Sequence, residues 1–349
     1  TLRLNFRCFW PREVQTETWL EVAVGCRNEF GLWKRDDFPS LEPVPVLLEL
    51  KDLSGSTLPV QLETKEPLFM EASGKLDFSL RIHLRGLEVP GPVMLHVAAG
   101  ALERPLLPVL SPPFLLRPAA PGRGDDGGSD LPDPARLSLE QCRLVEVPGC
   151  GSLLLAECRG DLGIGGGVWD GGLVLLEYLA HPAQRPRLEG RRVLELGSGT
   201  GLVGLGCALL GAQEVLLTDL PDVTSLLDFN VALNRARRSG LERVQVQAHE
   251  WGTDVAALEP AALEVVIMAD LIYDVEPSKQ LIVSIATLAA ANPSICFLLA
   301  FRPRNIEDPD FFRELSGHFR IDQAEDFGGE LRALCYDLQL LELTPRSAA

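Results

Sequence analysis

Between Val193 and Gly204 the chain reads VLELGSGTGLVG: an apolar strand, three alternating glycines (Gly197, Gly199, Gly201) and the start of an apolar helix. Such a strand–turn–helix unit brings backbone N–H groups close to a ligand at the carboxyl edge of an open α/β sheet. Glycine permits this because it admits positive φ and carries no Cβ to hold the ligand away. Eighteen residues after Gly201, EVLLTD ends in Asp219, placed to accept from both hydroxyls of a ribose. A nicotinamide dinucleotide and S-adenosylmethionine (SAM) both need that carboxylate, and Gly199-x-Gly201-x-x-Gly204 also matches the dinucleotide fingerprint. On these residues alone both cofactors stay open, with a purely structural turn as the third reading.

Other residues bear on the choice. Glu195 directly precedes the glycines, HEWG (249–252) follows the third strand of the alternating region, and MADLIYD (268–274) closes the fourth. Upstream, GGGVWDGG (165–172) holds Trp169 and Asp170 among five glycines, so the indole either plugs the core or lies against a ligand. Asp170 is placed to cap a helix beginning at Gly171.

VWD at 168–170, LELGSGTGLVG at 194–204, TDL at 218–220, EWG at 250–252 and ADLIY at 269–273 occur in this order. Together they resemble the seven-strand, SAM-dependent protein lysine methyltransferases of family 16 (the methyltransferase-like 21 type), over about residues 140–345. Gly171-Gly172 is a departure, since small alanines are usual after VWD; it loosens the first helical turn. A second departure is the β-rich extension before the linker, residues 1–118, which the resemblance does not cover.

The resemblance implies SAM as cofactor. Gly197, Ser198 and Gly199 face its methionine part, Asp219 its ribose, and Trp251 and Ala269 its adenine, with Trp169 beside it. It also implies a protein acceptor, the family including enzymes that modify chaperones. Asp270 and Tyr273 then stand at the acceptor. Methyl transfer needs a neutral amine in line with the sulfonium methyl, so positioning supplies much of the rate. A nearby sulfonium favours amine deprotonation and a carboxylate opposes it. Asp270 is therefore expected to grip and aim the amine, with general-base action second, and Tyr273 to bond the amine or wall the channel. Arg302 and Arg304 either line the acceptor mouth or are solvated. The alternatives to protein lysine are another acceptor (protein histidine or a small molecule) and a vestigial domain kept for partner binding.

The elements that must hold these residues fall into two domains. Of 349 residues, 46% are hydrophobic, enough for two packed cores. Residues 1–118 read as a β-sandwich-like interaction domain of short alternating strands, among them 18–26, 44–53, 57–65, 76–84 and 92–99, expected to bind a further protein. Residues 119–136 are a Gly/Pro/Asp-rich linker. Residues 137–349 open with a hairpin (CRLVEVPG, SLLLAECR), then alternate strand and helix: a doubly wound, mostly parallel seven-stranded α/β sheet. Its last two strands, near 318–324 and 333–344, are expected to form an antiparallel edge pair joined without a helix.

The net charge of −17 is concentrated late: residues 137–349 carry 17 basic against 30 acidic side chains. That surface repels phosphate backbones, so no nucleic-acid partner is expected. No run of eighteen apolar residues predicts a membrane span, and no apolar leader precedes a cleavage site. Eight cysteines without a Cys-x-x-Cys pair predict free thiols, no metal site and a cytoplasmic or nuclear setting.

Overall fold

Short segments in which every second residue is apolar can bury one face, and the first part of the chain is built from them. The computed structural model describes residues 2–32, 42–100, 106–118, 137–303 and 308–346; the expected linker 119–136 and Arg304 lie outside these. Ten strands come first: β1 (Arg3–Phe6), β2 (Glu13–Gln15), β3 (Leu20–Arg27), β4 (Val44–Asp52), β5 (Gln61–Thr64), β6 (Phe69–Met70), β7 (Lys75–His83), β8 (Val93–Ala99), β9 (Val109–Leu110) and β10 (Leu115–Arg117). A hairpin of β11 (Gln141–Val147) and β12 (Gly151–Glu157) follows.

A four-stranded sheet, β1-β3-β7-β5, and a six-stranded sheet, β12-β11-β9-β8-β4-β6, share one apolar cluster. Strand β7 shows why: Leu76, Phe78, Leu80 and Ile82 alternate into that cluster. The chain divides into two compact units, Thr1–Leu144 with Ala156–Gly160, and Val145–Leu155 with Asp161–Ala349. The hairpin assigned from sequence to the second domain is thus divided: its base, up to Leu144 and from Ala156, goes with the first unit, and its tip, Val145–Leu155, with the second. Its pairing is short, Cys142 opposite Leu110, and β9 is a two-residue strand with no sequence signal of its own.

The second unit continues with α1 (Arg159–Leu162), a 3-10 turn at Gly163–Gly166, and α2 (Asp170–Ala180). Then come β13 (Arg192–Leu196), α3 (Leu202–Leu209), β14 (Glu214–Asp219), α4 (Pro221–Arg235), β15 (Val244–Ala248) and β16 (Val265–Ala269). The chain ends with α5 (Val275–Ala291), β17 (Cys296–Phe301), α6 (Asp308–His318), β18 (Phe319–Gln323), α7 (Glu330–Leu334) and β19 (Gln339–Pro345). The sheet is seven-stranded, ordered β15-β14-β13-β16-β17-β19-β18.

Strands β13 to β17 are mutually parallel, and β19 runs antiparallel to both β17 and β18. The closing pair is antiparallel as expected. It is not joined without a helix, however: α7 occupies the first of the residues expected to begin the last strand. After β13 the chain winds outward to β14 and β15, then returns to β16 on the other side. The crevice between β13 and β16 is therefore the switch point, where ligands of open α/β sheets bind.

Candidate active site

At the carboxyl edge around that switch point lies a cavity of about 440 Å³. Trp169, Gly197, Ser198, Gly199, Asp219, Trp251, Ala269, Asp270 and Tyr273, all picked out from sequence, line it together. They come from separate strand ends and loops up to about a hundred residues apart, brought to one edge because β13, β14 and β16 run parallel.

The glycine turn is shaped by close approach. Gly197 has φ of 60°, and a Cβ there would press on the Leu271 and Trp251 side chains. Asp219 braces the turn: one carboxylate oxygen accepts from Gly199 N at 2.7 Å and the other from Leu220 N at 2.7 Å. Each oxygen keeps a second lone-pair direction, as a ribose diol requires. Burial raises the pKa of Asp219, while the two amides oppose that shift. Ser198 lines the cavity, but its hydroxyl is turned into the sheet, donating to Glu195 O (3.3 Å) and accepting from Thr218 N (3.0 Å). Its side chain thus joins β13 to β14, and only its backbone faces a ligand.

Glu195 is buried and accepts from Gly204 N at 3.0 Å, anchoring the first turn of α3. Burial pushes its pKa up to about 8, against the lowering effect of that amide. Trp251 and Tyr273 form the aromatic part of the wall, ring centroids 6.4 Å apart. The Tyr273 hydroxyl is raised by burial first, then by the charges of Asp219 and Asp274, which groups this ring with the ribose-directed carboxylate. Trp169 donates from Nε1 to Ile164 O at 2.7 Å, so the glycine-rich stretch before it is tied down by the indole. The indole is thus half-exposed on the cavity rim and does not plug the core.

At the start of α2 the structure departs from expectation. Asp170 is the first residue of the helix and does not cap it; its buried carboxylate instead meets Arg302 Nη2 at 3.4 Å. The amide of Gly171 is taken by Asp270, whose Oδ2 accepts from it at 2.5 Å. Arg302 is neither a mouth residue nor solvated: it spans Asp170 and Asp337, reached through Nε at 3.0 Å. Sequence reasoning noticed Gly171 only as a loosened turn and gave Glu276 and Gln280 of α5, which also line the cavity, no role. Gln280 packs where a Cβ on Gly252 would sit, so the glycine of EWG was the available signal.

The wall carries five acidic side chains (Glu195, Asp219, Glu250, Asp270, Glu276), of which Glu195 is held protonated by burial, and, among the described residues, no lysine or arginine. A pyrophosphate would find no lysine or arginine there to offset the acids, whereas a sulfonium is a cation matched by both carboxylates and aromatic faces. The residues present fit SAM: Asp219 for the ribose, Trp251 and Ala269 beside the adenine, and the Gly197–Gly199 backbone for the methionine part.

Comparison with known proteins agrees. The family profile for lysine methyltransferase matches residues 151–318. The protein N-lysine methyltransferase METTL21A of Xenopus tropicalis is 38% identical over 161 residues, 46% of this chain and 71% of that protein. Mouse EEF1A lysine methyltransferase 3 is 32% identical over 165 residues (47% and 68%), and the protein-lysine N-methyltransferase EFM6 of Saccharomyces cerevisiae 29% over 195 (50% and 79%). By this likeness, and with the glycine turn and the acidic, aromatic cavity it carries, this chain belongs to the lysine methyltransferase family, whose methyl donor is SAM.

Proposed function

We propose that this enzyme methylates a lysine ε-amine on a protein acceptor, with Asp270 gripping and aiming the amine. The observation that carries it is the cavity in which Asp270 and the cofactor-directed residues meet, its charged side chains acidic and its wall otherwise largely apolar and aromatic. When bound, SAM supplies an electrophilic methyl group on a positively charged sulfur. The chain's own residues hold and orient. Asp219 and the glycine turn fix one end of the cofactor, Trp251 walls its adenine, and Tyr273 bonds the amine or walls the acceptor channel. Asp270, 8% exposed, offers the lysine a carboxylate on a fixed backbone. An acid so placed holds an ammonium well and is a poor base for it, so its work is positioning.

Labelled-methyl SAM incubated with a cell lysate tests this: mass spectrometry should find the label on lysine in protein. Label confined to histidine or to small molecules would sink the acceptor assignment. Asp270→Gly, which tolerates the residue's φ of 59°, should abolish turnover while SAM affinity by calorimetry stays within about twofold. Chaperone-type proteins are a first panel of purified acceptors.

For the sandwich we infer a partner-binding role, supported by Leu47 and Phe69, 59% and 50% exposed on paired strands β4 and β6. A cytoplasmic or nuclear location is supported by eight free thiols; imaging of a tagged chain checks it. No helix among the described residues is long and apolar enough to cross a membrane.

A further inference from the structure

We propose that His249 recognises the adenine of the bound cofactor, its imidazole accepting a hydrogen bond from the exocyclic amino group. The residue opens HEWG just after β15 and lines the cavity. Its backbone N–H donates to Asp219 O at 2.8 Å, which sets it beside the strand end that carries the ribose carboxylate. Trp251 follows two residues later. His249 therefore stands on the adenosine side of the cavity, between the acid for the ribose and the indole for the base.

The side chain is the anomaly that carries the inference. It is 7% exposed, and its Nε2 is buried without a hydrogen-bond partner among the described residues. Burial alone lowers its pKa, so the ring is neutral at pH 7 and offers one donor and one acceptor. A buried polar atom left unpaired costs stability that an apolar side chain of similar size would not. With Nε2 unbonded, the ring can turn about its Cβ–Cγ bond, a torsion with broad minima, and bring a nitrogen onto a ligand.

Adenine supplies the matching group. In an adenosine the ring nitrogens of the base are acceptors, and the amino group is its one donor. Trp251 and Ala269 offer the base only an indole and a methyl group, and apolar contacts separate adenine poorly from a purine of the same shape. The other neutral polar groups described on the wall are engaged: the Ser198 hydroxyl faces the sheet, and the Gln280 amide donates to Glu276 at 3.2 Å. A neutral imidazole adds an acceptor for the amino group without adding charge to a wall already acidic.

The inference concerns the cofactor and does not depend on which acceptor is methylated. Calorimetry tests it without turnover, using S-adenosylhomocysteine and the analogue in which hydrogen replaces the amino group of the base. The parent should bind the adenine compound roughly 5- to 100-fold more tightly. His249→Leu should bind S-adenosylhomocysteine more weakly by a similar factor and prefer it to the analogue by less than about twofold. His249→Gln, which keeps an acceptor at similar reach, should retain the preference. No preference in the parent, or an undiminished one in His249→Leu, overturns the inference while leaving the cofactor and the lysine acceptor standing. Failure of the parent to bind S-adenosylhomocysteine overturns the cofactor assignment and this inference with it. Should His249→Leu fail to fold, His249→Ala takes its place and the same outcomes decide.

Discussion

Glu195 shows how one buried acid couples the cavity to solution pH. Its pKa rises from an ordinary 4.5 to about 8 on folding because burial disfavours the charged form. The folded state then holds the proton more tightly than the unfolded chain. The resulting stability is fully present below about pH 4.5 and is lost as pH rises through about 8. Glu195→Gln keeps an acceptor for Gly204 N and removes the titration. Its Tm should fall less than the parent's between pH 5 and 8, as melting curves across that range would show; parallel curves would refute the assignment. At Asp219, removal of the carboxylate by Asp219→Ala takes away the ribose acceptor and the brace on Gly199 together. SAM affinity should drop by roughly 10- to 100-fold, as the loss of charged hydrogen bonds entails, readable by calorimetry. Asp219 was legible because a strand-end acid at that distance from a glycine turn has one geometric destination. Where the Ser198 hydroxyl and the Asp170 carboxylate point was not legible, since the first is decided by how β13 pairs with β14 and the second by Arg302, 132 residues away.

At the scale of elements, the connection between β18 and β19 is a strap over α2. Glu177 of α2 accepts from Leu331 N and Arg332 N, the exposed donors at the start of α7. Phe327 stacks on His181 at 4.2 Å, and Arg302 ties Asp337 of the strap to Asp170 of the helix. Arg302→Ala leaves the Asp170 carboxylate buried without that cation, a change of about 3 kcal/mol in stability, which chemical denaturation would measure. The five-residue helix α7 escaped sequence reading because its first-turn donors are satisfied by Glu177, more than 150 residues away, rather than by a local cap. The longer helices were legible from apolar spacing alone.

At the scale of the molecule, the hairpin decides where the chain can be cut. Arg143 of β11 is buried, pairs with Glu157 at 2.7 Å and donates to Leu4 O and Pro108 O at 3.1 Å. Gln141 meanwhile bonds Asn5 and Phe6. A fragment starting at residue 137, the boundary that composition suggests, strips those acceptors from a buried guanidinium. It should melt below the whole chain and expose an unpaired strand edge, with aggregation visible by light scattering; equal melting would refute this.

By itself the sequence determined the doubly wound sheet, the glycine turn, the ribose carboxylate and the cluster that became the cavity. The first three rest on local periodicity or on spacing within one strand–turn–helix unit, and the last on the ordered motifs that carry the family resemblance. Only the tertiary structure decided what fills the first turn of α2, what Arg302 holds, and to which sheet the hairpin belongs. Those outcomes hang on single contacts between segments about a hundred residues apart or more, or on a two-residue strand, and no local pattern encodes them. Five glycines around Trp169 look alike in the sequence; in the fold one of them is where Asp270 sits.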